Sequence, residues 1–208
     1  MENLTQRKKV LTINNMIKIA LLSALAFVLA IPPFRWTVPI FPAFLDLDVA
    51  DLPAIIGLVT MGWGPAIWIV VIKNILDMLI MGPSALGLGQ LANFIFAASY
   101  ITVINLFYRR KPGVVMLAVG AAAGTVVTAI VAAFFNYFVL IPAFARIMIP
   151  MEVIIYVTQQ VNPAVDSLFT LVIFSITPFN LLKFGLMSVA GVVLYVALKP
   201  ILAAIAKK

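Results

Sequence analysis

The chain reads as an all-α integral membrane protein, a six-transmembrane-helix bundle, and three observations predict it. Of its 208 residues 64% are hydrophobic and only 10% charged, with a mean hydropathy of +1.18, which is not the composition of an ordinary soluble domain. The apolar residues fall into long stretches separated by short connections marked by Gly, Pro or charge. Within those stretches stand Lys73, Asn74, Asp77, Asn93, Asn136, Asn180 and Lys183. An ionisable group at a helix centre costs roughly 2.5–3.5 kcal/mol on insertion scales, so a chain that keeps several uses them.

The first segment covers about residues 12–31, from a polar amphipathic start to Ile31-Pro32-Pro33. The preceding MENLTQRKKV has the basic character of a secretory head. Asn14, Asn15 and Lys18 interrupt the apolar run that follows, however, and prolines stand where a small-residue cleavage site is needed, so the segment is expected to be retained. Residues 32–50 form a Pro- and aromatic-rich outer loop, not a helix; Asp46, Asp48 and the adjoining Asp51 make it interfacial. Segments 52–61 and 65–81 are split by Gly62-Trp63-Gly64-Pro65, which favours a tight reversal. The first of these is short: at about 1.5 Å per residue it cannot cross a ~30 Å core, so it tilts, sits shallow or is shielded by protein. Segment 88–108 is stopped by Arg109-Arg110-Lys111-Pro112-Gly113, and segment 113–141 is ended by Pro142. Residues 142–167 form a second outer loop; Arg146, Glu152, Gln159, Gln160, Asn162 and Asp166 mark an extramembrane excursion or interfacial helix. The last segment, 168–205, exceeds a single span, with Pro178 and Pro200 as breaks or kinks. The whole chain, 1–208, is one membrane domain.

Cations set the orientation. With six crossings, Arg7-Lys8-Lys9, Arg109-Arg110-Lys111 and Lys207-Lys208 share one face, while the opposite loops carry Arg35 and Arg146. The positive-inside rule then places both termini in the cytoplasm. Asn93, Asn136, Asn180 and Lys183 fall in the outer leaflet, under the loop of Asp46, Asp48 and Asp51. Lys73 and Asp77 lie one helical turn apart and are expected to pair, which leaves Lys183 without an obvious protein partner. The result is a polar pocket open outward, a capture site for a small polar or amphipathic molecule. A single buried Asn serves equally well as interhelical glue, worth about 0.6 kcal/mol on average, and a Lys–Asp pair can be purely structural; the site reading rests on the cluster.

Several functions are excluded. The chain has no Cys and no His, so disulfides, thiolate metal sites and His acid–base chemistry are out of reach. It has no GxxxxGK[ST], HExxH or GxSxG motif. Transport energy therefore comes from an ion gradient through Asp77 or from a partner. The net charge of +7 lies in short clusters beside apolar segments, without an aromatic–basic face, so it reports topology and not nucleic acid. Trp36, Trp63 and Trp68 with Tyr100, Tyr108 and Tyr156 suit an aromatic belt, while Tyr137 is a candidate ligand contact. Residues 148–151 suit adaptable Met packing. Small residues Ala20 and Ala24 on the first segment, and Gly120 and Gly124 on the fifth, permit close helix approach, within the bundle for the glycines.

The run Phe44-Leu-Asp-Leu-Asp-Val-Ala-Asp-Leu-Pro-Ala-Ile-Ile-Gly57 is followed by Gly64-Pro65, Lys73-Asn74, Gly89-Gln-Leu-Ala-Asn93-Phe94, Asn136-Tyr137-Phe138 with Pro142, and Pro178-Phe179-Asn180-Leu-Leu-Lys183. Together these resemble the substrate-binding S-components of energy-coupling factor (ECF) vitamin transporters, nearest the riboflavin-binding type, in order along nearly the whole chain. The resemblance implies a six-helix, non-enzymatic protein of a prokaryotic plasma membrane that binds its vitamin at the outer face and needs no cofactor. A membrane coupling subunit (T component) and two cytoplasmic ATPases would topple it to release substrate inside. It matches Ala20 and Ala24 to the family's docking surface for the coupling subunit. It matches Lys73, Asn74, Asn93, Asn136, Asn180 and Lys183 to ligand-facing polar positions, with Leu45 and Leu47 as apolar contacts. Gly82-Pro-Ser-Ala-Leu-Gly87 is less glycine-rich than riboflavin binders imply, Ala143-Phe144-Ala145-Arg146 replaces an aromatic–glycine turn, and Asp77 has no family role. Relatives bind pantothenate, pyridoxine, thiamin precursors such as hydroxymethylpyrimidine, or folate, and an anionic ligand would suit an unpaired Lys183. From another class, a self-sufficient ion-coupled transporter using Asp77 is the alternative, weakened by the lack of a detectable inverted repeat.

Overall fold

A residue before proline is driven out of the helical region, and Ile31, ahead of Pro32, is extended (φ −103°, ψ 159°) and ends the first helix, α1 (Ile13–Ala30). The computed structural model describes residues 12–205, with side chains to residue 200. The clusters Arg7-Lys8-Lys9 and Lys207-Lys208 lie outside the described residues. The Pro-rich loop folds into a two-stranded antiparallel hairpin, β1 (Trp36–Thr37) and β2 (Asp46–Leu47), with Trp36 opposite Leu47. Asp51 then precedes α2 (Leu52–Met61), which carries a proline in its first turn. Gly62, at φ +96°, reverses the chain into α3 (Trp63–Ile80), a backbone conformation that glycine adopts without a Cβ penalty.

Gly82, Pro83 and a left-handed turn at Ser84–Gly87 connect α3 to α4 (Leu88–Tyr108). Ala85 (φ 48°) and Leu86 (φ 56°) both adopt positive φ there, a conformation costing an L-residue roughly 1–2 kcal/mol. The departure from a glycine-rich turn is thus paid for in backbone strain. Leu86 is 72% exposed, so Leu86→Gly loses little packing and is expected to stabilise the protein by up to about 1 kcal/mol. A thermal melt in detergent checks this; a lowered midpoint would show that the leucine side chain contributes more than its strain removes.

One proline behaves differently from expectation. The helix α5 (Val114–Phe135) does not end at Pro142. It passes through a π turn (Asn136–Leu140) and continues as α6 (Ile141–Ile147). The Ile141 N–H reaches back five residues to the Asn136 carbonyl, and this register shift absorbs the donor that Pro142 lacks. The same device recurs after α7 (Met151–Gln159): α8 (Leu168–Leu171) leads through a π turn (Val172–Ile176) into α9 (Thr177–Ile205), with Pro178 in its first turn. The Phe174 carbonyl, four residues before Pro178, accepts from Asn162 Nδ2 at 3.1 Å. Pro200 lies inside α9, which runs on through it. Residues 142–167 thus hold the end of α6 and the separate helix α7, of the two expected forms the helical one.

Among the described residues, five helical stretches are long and apolar enough to cross a membrane: Ile13–Ala30, Trp63–Ile80, Ser84–Tyr108, Val114–Ile147 and Leu168–Pro200, with α2 as a shorter apolar helix. Large apolar side chains such as Leu79, Phe138 and Val189 face outward, as lipid contact allows. Inside, Tyr100, Ile101, Ile104, Leu117, Phe184 and Met187 form the core. At Gly120 an added Cβ would stand 3.1 Å from the Ile104 backbone, so glycine lets α5 approach α4. Ser188 joins α9 to the pair, bonding Tyr100 Oη at 2.7 Å and Thr125 Oγ1 at 2.9 Å, so that hydroxyls within the apolar bundle satisfy one another.

Candidate functional site

The bundle opens at the end that carries the hairpin, in a cavity of about 760 Å³, within the roughly 300–1,000 Å³ of small-molecule sites. The loop supplies Arg35, Leu45 and Asp48; α3 and α4 supply Asp77, Gln90 and Asn93; Asn136 comes from the first π turn, and Asn180 and Lys183 from α9. The same cavity is also lined by Phe96, Phe144, Met148, Phe179 and Phe184. The cavity is therefore amphipathic, lined by aromatic and aliphatic side chains together with amides and charges.

Asn136 and Asn180 are buried, and each donates one Nδ2 hydrogen to the carbonyl one turn back on its own helix, Ala132 and Ile176, at 2.8 Å. An amide has two such hydrogens and an acceptor oxygen, so each side chain is held in place with hydrogen-bonding capacity left for a ligand. One inserted residue rotates everything after it by about 100°: the π turn at Val172–Ile176 precedes Asn180 and sets its direction, while the one that begins at Asn136 turns the residues that follow, Phe144 among them.

The charges pair differently from the sequence expectation. Lys73 does not pair with Asp77; its Nζ lies 2.6 Å from Asp51 Oδ1. Lys183 is not unpaired; its Nζ lies 2.8 Å from Asp48 Oδ2, a partner 135 residues away in sequence. A buried cation takes the nearest carboxylate that can offset its desolvation, and the hairpin loop brings two. Asp77 is held by Gln90, whose Nε2 donates to its Oδ2 at 2.9 Å, with Arg35 Nη2 3.8 Å from its Oδ1. At Asp48 burial works to raise the pKa, but Lys183 first and then Lys73, with hydrogen bonds from Lys183 and the Ala50 N–H, hold the carboxyl below its ordinary value.

Of the residues singled out from sequence, Leu45, Asn93, Asn136, Asn180 and Lys183 stand on the cavity wall. Lys73 is held by Asp51, which lines that wall. Leu47 is buried in the hairpin. Asn74 donates to the Val70 carbonyl at 2.9 Å and lines a separate apolar groove between α3 and α4. Tyr137 packs on the second apolar cluster and edge-on to Phe138. Ala20 and Ala24 are exposed on α1. Sequence reasoning misses Gln90, Arg35 and the aromatic wall. Gln90 is legible, three residues before Asn93 on one helical face; the phenylalanines are not, since core, lipid and ligand contacts look alike in an apolar segment.

The model of the family "ECF transporter, substrate-specific component" matches residues 14–195. The chain belongs to this family. It is 30% identical to the riboflavin transporter RibU of Staphylococcus aureus over 194 residues, 93% of this chain and 91% of that one. To the riboflavin transporter FmnP of Bacillus subtilis it is 29% identical over 191 residues, 90% and 93% of the two chains. A solved structure described as the S component of a bacterial ECF transporter superposes with a TM-score of 0.71 at 30% identity, covering 91% of this chain and 97% of that one. This S component is thus a transporter subunit and not an enzyme, a multi-pass protein of a prokaryotic plasma membrane that serves a small-molecule substrate together with the rest of an ECF transporter.

Proposed function

We propose that this S component captures riboflavin at the outer face of the membrane and passes it inward by reorienting with a membrane coupling subunit, the T component, and two cytoplasmic ATPases. Six membrane-crossing segments with both termini in the cytoplasm belong to this reading, α2 being the short one. The observation that carries it is the amphipathic cavity, lined by Asn136, Asn180 and Lys183 together with several phenylalanines. Riboflavin offers a matching shape: a flat ring with an apolar benzenoid edge, an opposite edge of carbonyls and an N–H, and a polyol chain. Amides that donate and accept suit the polar edge, and the phenylalanines suit the apolar one. Leu45 and Asn93 complete the contacts, and Lys73 acts from behind by holding Asp51. Relatives named riboflavin transporters support the choice of vitamin.

Purification in mild detergent tests the reading directly. A yellow preparation that retains riboflavin, identified by absorbance and mass, with submicromolar binding that needs no ion gradient, is the expected result. Retention of another vitamin with no affinity for riboflavin would reassign the ligand.

Ala20 and Ala24 lie exposed on α1 and suit close approach of the coupling subunit. Ala20→Leu with Ala24→Leu is expected to abolish uptake in proteoliposomes containing the partner subunits while leaving riboflavin affinity unchanged. Loss of binding in that variant would show an internal packing role instead.

A further inference from the structure

The structure assigns Asp77 and Arg35 a share in substrate recognition: a hydroxyl-reading subsite in the cavity wall that takes the polyol chain of the ligand. The ligand's identity here rests on the proposal that it is riboflavin, and the subsite on features of the wall itself. Lys73–Asp51 and Lys183–Asp48 close to 2.6 and 2.8 Å, but Arg35 stands off from both its carboxylates, 3.8 Å from Asp77 and 3.7 Å from Asp46. Asp77 Oδ1 is buried and has no hydrogen bond, and the same holds for Arg35 Nε. Both residues line the cavity. The carboxylate is 7% exposed and its direction is preset: Gln90 holds Oδ2 and is itself tied to the Gly82 carbonyl at 3.1 Å and the Ser84 N–H at 3.0 Å.

An acceptor and a donor left unpaired on one wall carry a desolvation cost, and such pairs in native proteins are completed by water or by a ligand. The missing complement must donate to Asp77 Oδ1 and accept from the guanidinium. A hydroxyl does both. One oxygen about 2.8 Å from each bridges the 3.8 Å between Asp77 Oδ1 and Arg35 Nη2, and Nε of the same guanidinium is the donor left without a partner. Arg35, on the loop and with a side chain 32% exposed, is the partner that gives way as the hydroxyl enters, while Asp77 stays with Gln90.

An anionic group does not suit this place. With Lys73 closed on Asp51 and Lys183 on Asp48, the wall is left with Asp46 and Asp77 against Arg35. The subsite therefore selects a neutral polyol over its phosphate ester, which adds about 1.5–2 negative charges.

The test is a set of dissociation constants for the purified full chain in detergent, read from quenching of flavin fluorescence, with riboflavin and with lumiflavin, the same ring bearing a methyl group in place of the polyol. Asp77→Asn is expected to weaken riboflavin roughly tenfold or more and lumiflavin by less than about twofold. Arg35→Gln, on the loop, is expected to repeat the pattern. Wild-type protein is expected to bind riboflavin 5′-phosphate more weakly than riboflavin, and Asp77→Asn to narrow that ratio. Equal losses for both rings, or an unchanged riboflavin constant in both variants, would overturn the subsite alone. Failure of the wild-type chain to bind either flavin would overturn the riboflavin reading and the polyol assignment with it.

Discussion

Lys73→Met is expected to lower the stability of the bundle by about 3–5 kcal/mol, because it leaves the Asp51 carboxylate buried without its counter-charge. The two side chains are only 6% and 5% exposed and meet at 2.6 Å, so water cannot take over the lost bond. Asp51 also precedes α2, and an unneutralised carboxylate there loosens the junction of the hairpin loop with the bundle. The measurement is a comparison of melting midpoints in detergent. The double variant Lys73→Met with Asp51→Leu is expected to regain most of the loss, since replacing both partners of a buried pair by apolar groups is often neutral or better. A single variant that melts with the native protein would mean that the pair is solvated or that Asp51 carries no charge.

Lys183→Met is expected to weaken riboflavin binding roughly 10- to 100-fold, the value of a charge-assisted hydrogen bond removed at a closed site. Two effects combine. The ammonium leaves the cavity wall, and Asp48 loses the bond that pins the loop over it. Asn180→Ala, which removes a neutral amide, should cost about fivefold to tenfold. Fluorescence titration of both variants checks the order; equal constants for wild type and Lys183→Met would remove Lys183 from the site.

The same clasp sets a pH dependence. The folded-state pKa of Asp48 lies below its ordinary value, so its contribution is fully present above the ordinary carboxylate range, near pH 3.9, and is lost as pH falls through the lowered value. Affinity is expected to stay level from neutral pH down to about that range and to fall only beneath it. A decline already complete by pH 5 would assign control to another group.

Much of the candidate site is legible in the sequence. Asn136, Asn180 and Lys183 stand out because a polar group in a long apolar run has a cost that composition exposes, and the helical fold follows from the same runs. The expectations that fail have a common origin. One-turn spacing predicts that Lys73 pairs with Asp77, but it describes neighbours on one helix and says nothing about a loop that folds back. Pro142 reads as a terminus because the rule for proline concerns an ordinary helical ladder; a π turn supplies a second register in which the missing donor is tolerated. The cap over the cavity is hidden for a related reason, since Phe144 and Met148 belong to a stretch whose charged residues mark it as leaving the membrane.

Composition and segment lengths are sufficient, alone, for a helical membrane protein with its buried polar residues gathered toward one end, and the resemblance of its ordered motifs adds the S-component kind. They suffice because hydrophobic length and the penalty for polar groups in lipid are properties of contiguous residues. Tertiary structure alone decides which carboxylate neutralises which lysine, and so that no lysine in the wall is free for an anionic ligand. Coulombic pairing in a low-dielectric interior depends on distance through space, and the partners Asp48 and Lys183 lie 135 residues apart along the chain.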